Sequence, residues 1–332
     1  MSELAVAMYA AERGAHLLAA PCDGRFEAFR GRFDEAACTA QLAERSIRFV
    51  ARSDASFPPK LRSIHDPPVG LFLRGGATLE LLERPTVAVV GARSCSLYGT
   101  EVASMLGREL ARAGVLVVSG LARGIDGAAH RGALDAGQTL AVLGCGIDRD
   151  YPRAHAALAA RIAADGLIVS EYAPGVEPAP WRFPARNRVV AGLADATIVV
   201  EARTRSGALI TADLALEEGR EVLAVPGEIT SYLSAGTNHL LRLGAVPVTS
   251  TADVLAVLGV AQPAQPLPPP AATSAEGRAI SAVVADAPTT FDELVRRTGL
   301  DPPVVSAALV ELELLGVVHE ADGVYRGVMP PN

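Results

Sequence analysis

One short stretch of the sequence combines arginines with aromatic side chains. Residues 180–188 read Pro-Trp-Arg-Phe-Pro-Ala-Arg-Asn-Arg and include the only tryptophan of the chain. Aromatic rings stack on unpaired bases and arginines bind phosphates, so this combination is typical of a site for single-stranded nucleic acid. A solvated charged turn is the alternative, but such turns rarely contain tryptophan and phenylalanine. The residues expected to contact nucleic acid here are Arg182, Phe183, Arg186, Asn187 and Arg188.

Three further segments have the composition of anion-binding loops. Each follows a β-branched run: Gly-Ala-Arg-Ser-Cys-Ser at 91–96, Ser-Gly-Leu-Ala-Arg-Gly-Ile-Asp-Gly at 119–127 and Glu-Ala-Arg-Thr-Arg-Ser-Gly-Ala at 201–208. Backbone amides and hydroxyls before a helix N-terminus bind anions, and arginine adds positive charge. Ligands of open parallel sheets bind at the carboxyl ends of the strands, so we expect one arginine-lined groove. Its further contact residues are expected to be Arg93, Ser94, Ser96, Arg123, Gly124, Arg203, Ser206 and Gly207.

The same loops suggest two other kinds of site. A dinucleotide fingerprint needs glycines at 93 and 96, where the chain has Arg and Ser, so an NAD site is not expected. Asp126 and His130 lie four residues apart and suggest an acid/base pair. The favoured interpretation is a capped helix with a packed imidazole, because no nucleophile or metal ligand converges on them. We therefore predict no catalytic residue, no cofactor and no metal.

The elements that must position these loops follow from the hydrophobic pattern. Short, mostly continuous apolar runs at 86–90, 115–119, 139–143, 167–170, 197–200 and 222–225 predict strands buried on both faces. Ala/Leu-rich stretches between them, such as 99–113 and 125–136, predict crossover helices. The predicted fold is α/β, with a doubly wound, mostly parallel sheet.

Composition narrows the class of protein further. Of 332 residues, 30 are basic and 37 acidic, which gives a net charge of −7 and excludes coating of nucleic acid by bulk positive charge. Lys60 is the only lysine, so anions must be bound by arginine. The four cysteines lie far apart without a paired motif, and neither a signal peptide nor a membrane-spanning stretch is expected. We expect reduced thiols and a cytoplasmic location.

The chain is predicted to divide into four parts. Residues 1–50 form a small helical N-terminal region and 51–260 the α/β domain, followed by a proline-rich linker at 261–274 and a winged-helix-like domain at 275–328. Helical patterns at 276–285, 290–298 and 302–315, then short strands at 317–320 and 324–326, indicate the winged helix. The helix at 302–315 would enter a DNA groove, but it contains two glutamates and no basic residue. The C-terminal domain is therefore interpreted as a protein-contact or autoregulatory module.

The loops, in their order and spacing, resemble the DNA-processing protein A (DprA/Smf) family over roughly residues 57–258. The matching text is VVGARS at 89–94, SGLARGIDGAAH at 119–130, LGCGID at 143–148, SEY at 170–172, FPARNR at 183–188, SGALIT at 206–211, AVPG at 224–227 and GTNHLL at 236–241. The resemblance implies that residues 51–260 form an extended Rossmann-like DNA-binding domain. It implies a non-enzymatic recombination mediator that binds and protects incoming or exposed single-stranded DNA. It also implies a homodimer that loads the RecA recombinase in natural transformation and recombination.

The same resemblance implies roles for individual residues. Arg93 would bind phosphate, Phe183 would insert between bases, and Arg203 would stand where relatives carry a DNA-contacting lysine. Relatives often have a basic residue three positions before the phenylalanine, where this chain has Pro180, so Arg182 would have to substitute. The apolar segments 239–243 and 254–258 are candidates for the dimer interface.

Two other functions are weighed against the mediator. A Rossmann-type nucleotide phosphoribohydrolase would carry a Pro-Gly-Gly-x-Gly-Thr-x-x-Glu motif, but Leu240 stands where the glutamate would fall. A winged-helix transcription factor is disfavoured by the acidic helix at 302–315.

Overall fold

The computed structural model describes residues 2–15, 21, 24–261, 274–321 and 323–327. These residues form two compact units, one within 1–261 and one within 262–332. The core of the predicted linker, residues 262–273, lies outside the described residues.

The first unit is built on a nine-stranded sheet with the order β1-β2-β6-β5-β4-β3-β7-β8-β9. In this spatial order, the seven strands that run from β6 through β3 to β9 pair in parallel, whereas β1 and β2 are antiparallel to their neighbours. The strands are β1 Ile47–Ala51, β2 Gly70–Arg74, β3 Thr86–Val90, β4 Leu116–Ser119, β5 Thr139–Val142, β6 Leu167–Ser170, β7 Ala196–Val199, β8 Glu221–Ala224 and β9 Val246–Pro247.

Helices cover both faces of this sheet. They are α1 Glu3–Arg13, α2 Gly24–Arg32, α3 Glu35–Glu44, α4 Pro59–Arg62, α5 Leu97–Arg112, α6 Ile125–Leu134, α7 Ala156–Asp165, α8 Arg182–Leu193, α9 Gly207–Glu217, α10 Ala235–Arg242 and α11 Thr251–Leu258. Side chains of β3 illustrate the two layers, because Ala88 and Val90 pack into one buried cluster and Val87 and Val89 into another. The mostly parallel, doubly wound sheet predicted from continuous apolar runs is thus confirmed.

The N-terminal helices do not form a separate body. Side chains of α1 and α2, including Tyr9 and Phe26, share a buried cluster with Phe72 of β2 and Ile168 of β6. Strand β1 then pairs with β2 and extends the sheet at its antiparallel edge. The expected division at residue 50 therefore differs from the structure, because the sheet and its core continue across that position.

The second unit is a small helical domain with a three-stranded sheet of order β10-β12-β11. Its elements are α12 Ala275–Asp286, β10 Thr289–Thr290, α13 Phe291–Thr298, α14 Pro302–Leu314, β11 Val318–Ala321 and β12 Val324–Gly327. Ile280, Leu294, Val305 and Leu312 form the centre of its core. Three helices followed by an antiparallel hairpin are the architecture of a winged helix, as predicted.

None of the helices in the described part of the chain has the length and apolar character needed to cross a membrane.

Candidate nucleic-acid interface

A cleft of about 360 Å³ opens at the carboxyl ends of β3, β4 and β7. Strand β3 lies between the other two, so the chain leaves the sheet centre in opposite directions at this point. Such a switch point separates the loops that follow neighbouring strands and leaves a crevice between them. The first strand-end loop (91–94), the second (120–126), the loop after β7 (203–208) and one face of α8 line this cleft. The strand-end loops therefore converge on one cleft, as predicted from the sequence.

Three exposed arginines border the cleft. Arg93 comes from the loop after β3, and Arg203 and Arg205 come from the loop after β7. None of the three forms an ion pair with any described residue. Unpaired guanidinium groups keep their donors available, and their planar geometry matches a phosphate group. The cleft therefore has the charge needed to hold a chain of phosphates.

The 180–188 segment is not a loop, because α8 begins at Arg182. Phe183, Arg186, Asn187 and Val190 follow helical spacing and line the cleft together. The opposite side of α8 packs into the protein. Pro184 is compatible with this helix because an N–H in the first turn has no partner within the helix.

Arg186 lies at the floor of the cleft and holds two strand ends together. Its Nη1 donates to the carbonyl oxygens of Gly120, at 2.9 Å, and Val142. The side chain is almost fully buried, and this burial lowers the pKa of Arg186 while the nearby Asp126 carboxylate opposes the shift. Because Nη1 donates to both carbonyls, Arg186 is fixed at the floor of the cleft, where it shapes the site and adds positive charge.

Phe183 stands at the rim of the cleft, in contact with a cation and with a second ring. The Arg93 guanidinium lies 5.3 Å from the centre of the Phe183 ring, and Tyr151 stacks on Phe183 at 5.3 Å with an interplanar angle of 27°. Gly144 allows the ring to sit close to the backbone, since a Cβ there would lie 2.9 Å from it. This arrangement presents a partly exposed aromatic surface beside phosphate-binding charge, which suits an unstacked base.

Two of the arginines expected to contact nucleic acid are turned away from the cleft. Arg188 is buried and makes a two-pronged ion pair with Glu171, at 2.7 and 3.1 Å. Arg182 is also buried; it donates to the Glu177 carbonyl and lies over the Trp181 and Tyr172 rings. The expectation that they serve as available cations is corrected here, because helical spacing places them off the face that carries Phe183.

Ser96 also has a different place from the one expected. Its Oγ donates to the buried Glu201 carboxylate at 2.5 Å and accepts from the Gly99 N–H at 3.0 Å. The Ser96 N–H donates to the same carboxylate at 2.8 Å. The N-terminus of α5 is therefore capped and filled by an internal anion. By contrast, Ser206 caps α9, and Ser206 and Gly207 line the cleft where the N-terminus of α9 opens into it.

The remaining predicted contacts lie around the same opening. Ser94 is exposed and Asn187 donates to the Gly207 carbonyl at 3.2 Å. Arg123 is exposed but borders a neighbouring cavity. Gly124 has a φ of +73°, and a Cβ there would lie 2.2 Å from the Ala92 carbonyl oxygen. Gly124 therefore allows two loops of the protein to touch, rather than allowing a ligand to approach.

Asp126 and His130 both support the fold. The Asp126 carboxylate accepts from the Gly120 and Ala122 N–H groups, at 3.1 and 3.3 Å, and burial raises the pKa of this carboxyl. It braces the loop rather than capping α6, which begins after Gly124. His130 is fully buried and its Nδ1 lies 2.8 Å from the Thr139 hydroxyl. The packed imidazole favoured from the sequence is confirmed.

Two residues of the site were missed from the sequence. Arg205 was part of the 201–208 segment, and its position two residues after Arg203 was the available signal. Tyr151 comes from the loop after β5, and only the three-dimensional fold brings it to Phe183. Within the described residues, no group of three His, Cys, Asp or Glu side chains is placed to hold a metal ion.

Fold and site together define an extended Rossmann-like α/β protein with an arginine-bordered cleft and a separate winged helix domain. The family described as DNA recombination-mediator protein A matches residues 48–259, and the DprA winged helix domain matches residues 262–323. The chain therefore belongs to the DNA recombination-mediator protein A (DprA) family.

Individual relatives are similar over most of the chain. DNA processing protein DprA of Streptococcus pneumoniae is 49% identical over 65% of this chain and 77% of its own length. The putative DNA processing protein DprA of Mycobacterium tuberculosis H37Rv is 43% identical over 84% of this chain and 73% of its own. The X-ray structure of the S. pneumoniae protein superposes with a TM-score of 0.66 at 41% identity, covering 76% of this chain and 91% of the other. A Helicobacter pylori DprA structure, described by its single-stranded DNA binding mode, gives a TM-score of 0.58 at 32% identity, covering 64% and 95%.

Proposed function

We propose that this protein is a recombination mediator that binds single-stranded DNA in the cleft at the carboxyl ends of β3, β4 and β7, without catalysing a reaction. The observation that carries the proposal is the exposed group of Arg93, Arg203 and Arg205 beside the partly exposed Phe183 ring. Arginines can bind successive phosphates while the ring stacks on a base. The H. pylori relative, described by its single-stranded DNA binding mode, supports the same ligand.

Single strands fit this site better than duplex DNA. Phe183 can stack only on a base whose face is free, and bases in a duplex are covered by their neighbours. The contacts offered to the ligand are arginine side chains, backbone amides and an aromatic ring, which read phosphates and ring faces rather than base edges. We therefore expect little base specificity.

We further propose that the bound strand is protected and handed to the RecA recombinase during recombination and natural transformation. Support comes from family membership, because the matching family is described as a recombination mediator. We place this activity in the cytoplasm, where the free cysteines Cys38, Cys95 and Cys145 would stay reduced.

We also propose a homodimer, formed through the face shared by α9 and α10. Ile210 and Leu243 are exposed apolar side chains that border one cavity between these helices. The expected contribution of segment 254–258 is corrected, because Val254 and Leu255 are buried in the protein's own core. Two linked clefts would raise the avidity for long strands without any new contact.

A nucleotide phosphoribohydrolase is the enzymatic alternative, and no feature of the site favours it. Leu240, where such an enzyme would carry its glutamate, is buried in α10. The Glu201 carboxylate is engaged by Ser96.

A gel-shift titration with one oligonucleotide, single-stranded and annealed to its complement, tests the proposed function. We expect tighter binding of the single strand at every salt concentration, and equal or tighter binding of the duplex would contradict it. A parallel assay for release of bases from nucleotides should show no turnover, and turnover would support the hydrolase instead.

A further inference from the structure

A second cavity, of about 860 Å³, adjoins the cleft at Phe183 and Arg186, which line both. Arg93 and Ser94 are also shared by the two. The far wall of the second cavity is formed by Arg123 and by the loop after β5, from Asp148 to Ala156. A chain that leaves the first cleft past Phe183 therefore enters this cavity directly.

The charge of the second cavity is positive despite three carboxylates in its wall. Asp150 forms an ion pair with Arg74 at 2.6 Å, and Glu177 forms one with Arg149 at 2.7 Å. Asp148 accepts the Gly175 N–H at 2.9 Å and lies 4.0 Å from Arg149. Asp150 and Glu177 thus each pair with an arginine, and Asp148 shares Arg149 with Glu177.

Two arginines in the same wall remain available. Arg123 and Arg153 are both exposed, and neither guanidinium group forms an ion pair or hydrogen bond with another described residue. The lining holds five arginines against three carboxylates, two of which are paired with arginine, so Arg123 and Arg153 add to a net attraction for anions.

Tyr151 supplies an aromatic surface at the boundary of the two cavities. Its ring stacks on Phe183, is 41% exposed and lines the second cavity. A large aromatic side chain left this open, beside two unpaired arginines, repeats the chemistry of the first cleft.

We propose that Tyr151 is a second stacking platform and that the second cavity binds the next part of the same DNA strand. A base stacks on the exposed part of the Tyr151 ring, and Arg123 and Arg153 bind the adjoining phosphates. The inference rests on the proposed binding of single-stranded DNA in the first cleft, and extends the path of the strand across Phe183.

Fluorescence anisotropy with labelled oligothymidylates of increasing length tests this proposal. Tyr151→Ala should leave the affinity for the shortest bound oligonucleotides unchanged and should weaken binding of longer ones about tenfold, within the range for loss of one base–aromatic stack. Tyr151→Phe keeps the ring and should bind all lengths like the wild type. Tyr232→Ala is the matched control, because Tyr232 is 85% exposed and lines neither cavity.

Arginine variants probe the same site without touching the stacked rings. Arg123→Ala and Arg153→Ala should each reduce the slope of log affinity against log salt by about 1, and only with the longer oligonucleotides. Arg131→Ala is the control, because this exposed arginine of α6 lines neither cavity.

The outcomes separate the two levels of the proposal. An equal loss for Tyr151→Ala at all lengths would mean that Tyr151 only supports Phe183, and would overturn the second site. Wild-type affinity of Tyr151→Ala, Arg123→Ala and Arg153→Ala for long strands would also overturn the second site, while leaving the first cleft intact. If the wild-type chain binds no single strand of any length, the proposed function fails and this inference fails with it.

Discussion

At the scale of single residues, burial divides the arginines of the site into two groups. Arg93, Arg203 and Arg205 are exposed at the cleft, whereas Arg186 and Arg188 are buried against fixed acceptors. A buried guanidinium that turned towards a phosphate would leave a carbonyl or carboxylate unpaired in the interior, at a cost of several kcal/mol. The sequence cannot separate the groups, because the orientation of α8 decides which arginines face the sheet.

Arg93 and Phe183 are expected to contribute to binding through different interactions, a phosphate contact and base stacking. Arg93→Ala should weaken single-strand binding and reduce the salt slope by about 1, because a phosphate contact is lost. Phe183→Ala should cost about 1–3 kcal/mol of stacking and leave the salt slope nearly unchanged. Affinities measured over a range of salt concentrations give both values for each variant. Identical salt slopes in the two variants would show that the assigned contacts are wrong.

His130 should make the folded state sensitive to acid. Its Nδ1 faces the Thr139 hydroxyl, which itself donates to the Val117 carbonyl, so the imidazole is held neutral with a proton on Nδ1. Burial lowers the pKa of His130 from 6.5 to about 3. The unfolded chain takes up this proton below pH 6.5 and the folded chain only near 3, so the contribution to stability is present above 6.5 and is lost as the pH falls.

The variant His130→Asn, which keeps a donor towards Thr139, isolates this contribution. Between about pH 6 and pH 4, the unfolding free energy of the wild type should fall more steeply, by up to about 1.4 kcal/mol per pH unit. Urea unfolding of both proteins at each pH gives the two slopes. Parallel slopes would mean that the imidazole is protonated in the folded state.

At the scale of elements, the strands could be predicted and the orientation of the binding helix could not. The predicted runs 86–90 and 167–170 coincide with β3 and β6, because strands buried on both faces are continuously apolar. Strands β1 and β2 were missed, since they lie at the antiparallel edge outside the βα alternation. In the 180–188 segment, charges and prolines obscured a helix whose spacing of Phe183, Arg186 and Val190 was already present.

The N-terminus of α5 gives an element-scale prediction. Ser96 was expected to bind DNA, but it caps α5 and holds Glu201. Ser96→Ala should lower the unfolding free energy by about 1–3 kcal/mol, through loss of the cap and of a hydrogen bond to a charged group. The salt slope for single-stranded DNA should stay at the wild-type value. Urea unfolding and anisotropy on the same preparation measure both, and a flattened salt slope would return Ser96 to the DNA contacts.

At the scale of the whole molecule, the exposed face of α9 and α10 predicts self-association. Leu243→Asp places a charge on an apolar face, so burying that face in a dimer would become costly. Light scattering at micromolar concentration should return a dimer for the wild type and a mass near 34.4 kDa for the variant. Ile229→Asp is the matched control, since Ile229 is an exposed apolar side chain that lies outside α9, α10 and that cavity. A wild-type monomer would contradict the proposed dimer.

The winged helix domain is expected to add nothing to DNA affinity. Residues 251–332 contain four basic and ten acidic residues, and α14 offers Glu311 and Glu313 but no cation. Its exposed side chains include Val304, Val310 and Leu314, which suit a protein surface better than phosphates. Winged helices that bind duplexes need basic residues on this helix, because phosphate contacts supply most of the non-specific affinity.

Truncation after Val260 removes this domain and its linker while keeping every residue of the cleft. Single-strand affinity of the truncated chain should equal that of the full chain or be slightly tighter, because a net acidic domain on the same chain opposes a polyanion. Both proteins are titrated with one oligonucleotide at one salt concentration. A tenfold loss of affinity on truncation, about 1.4 kcal/mol, would show that the domain holds DNA through contacts other than cationic ones on α14.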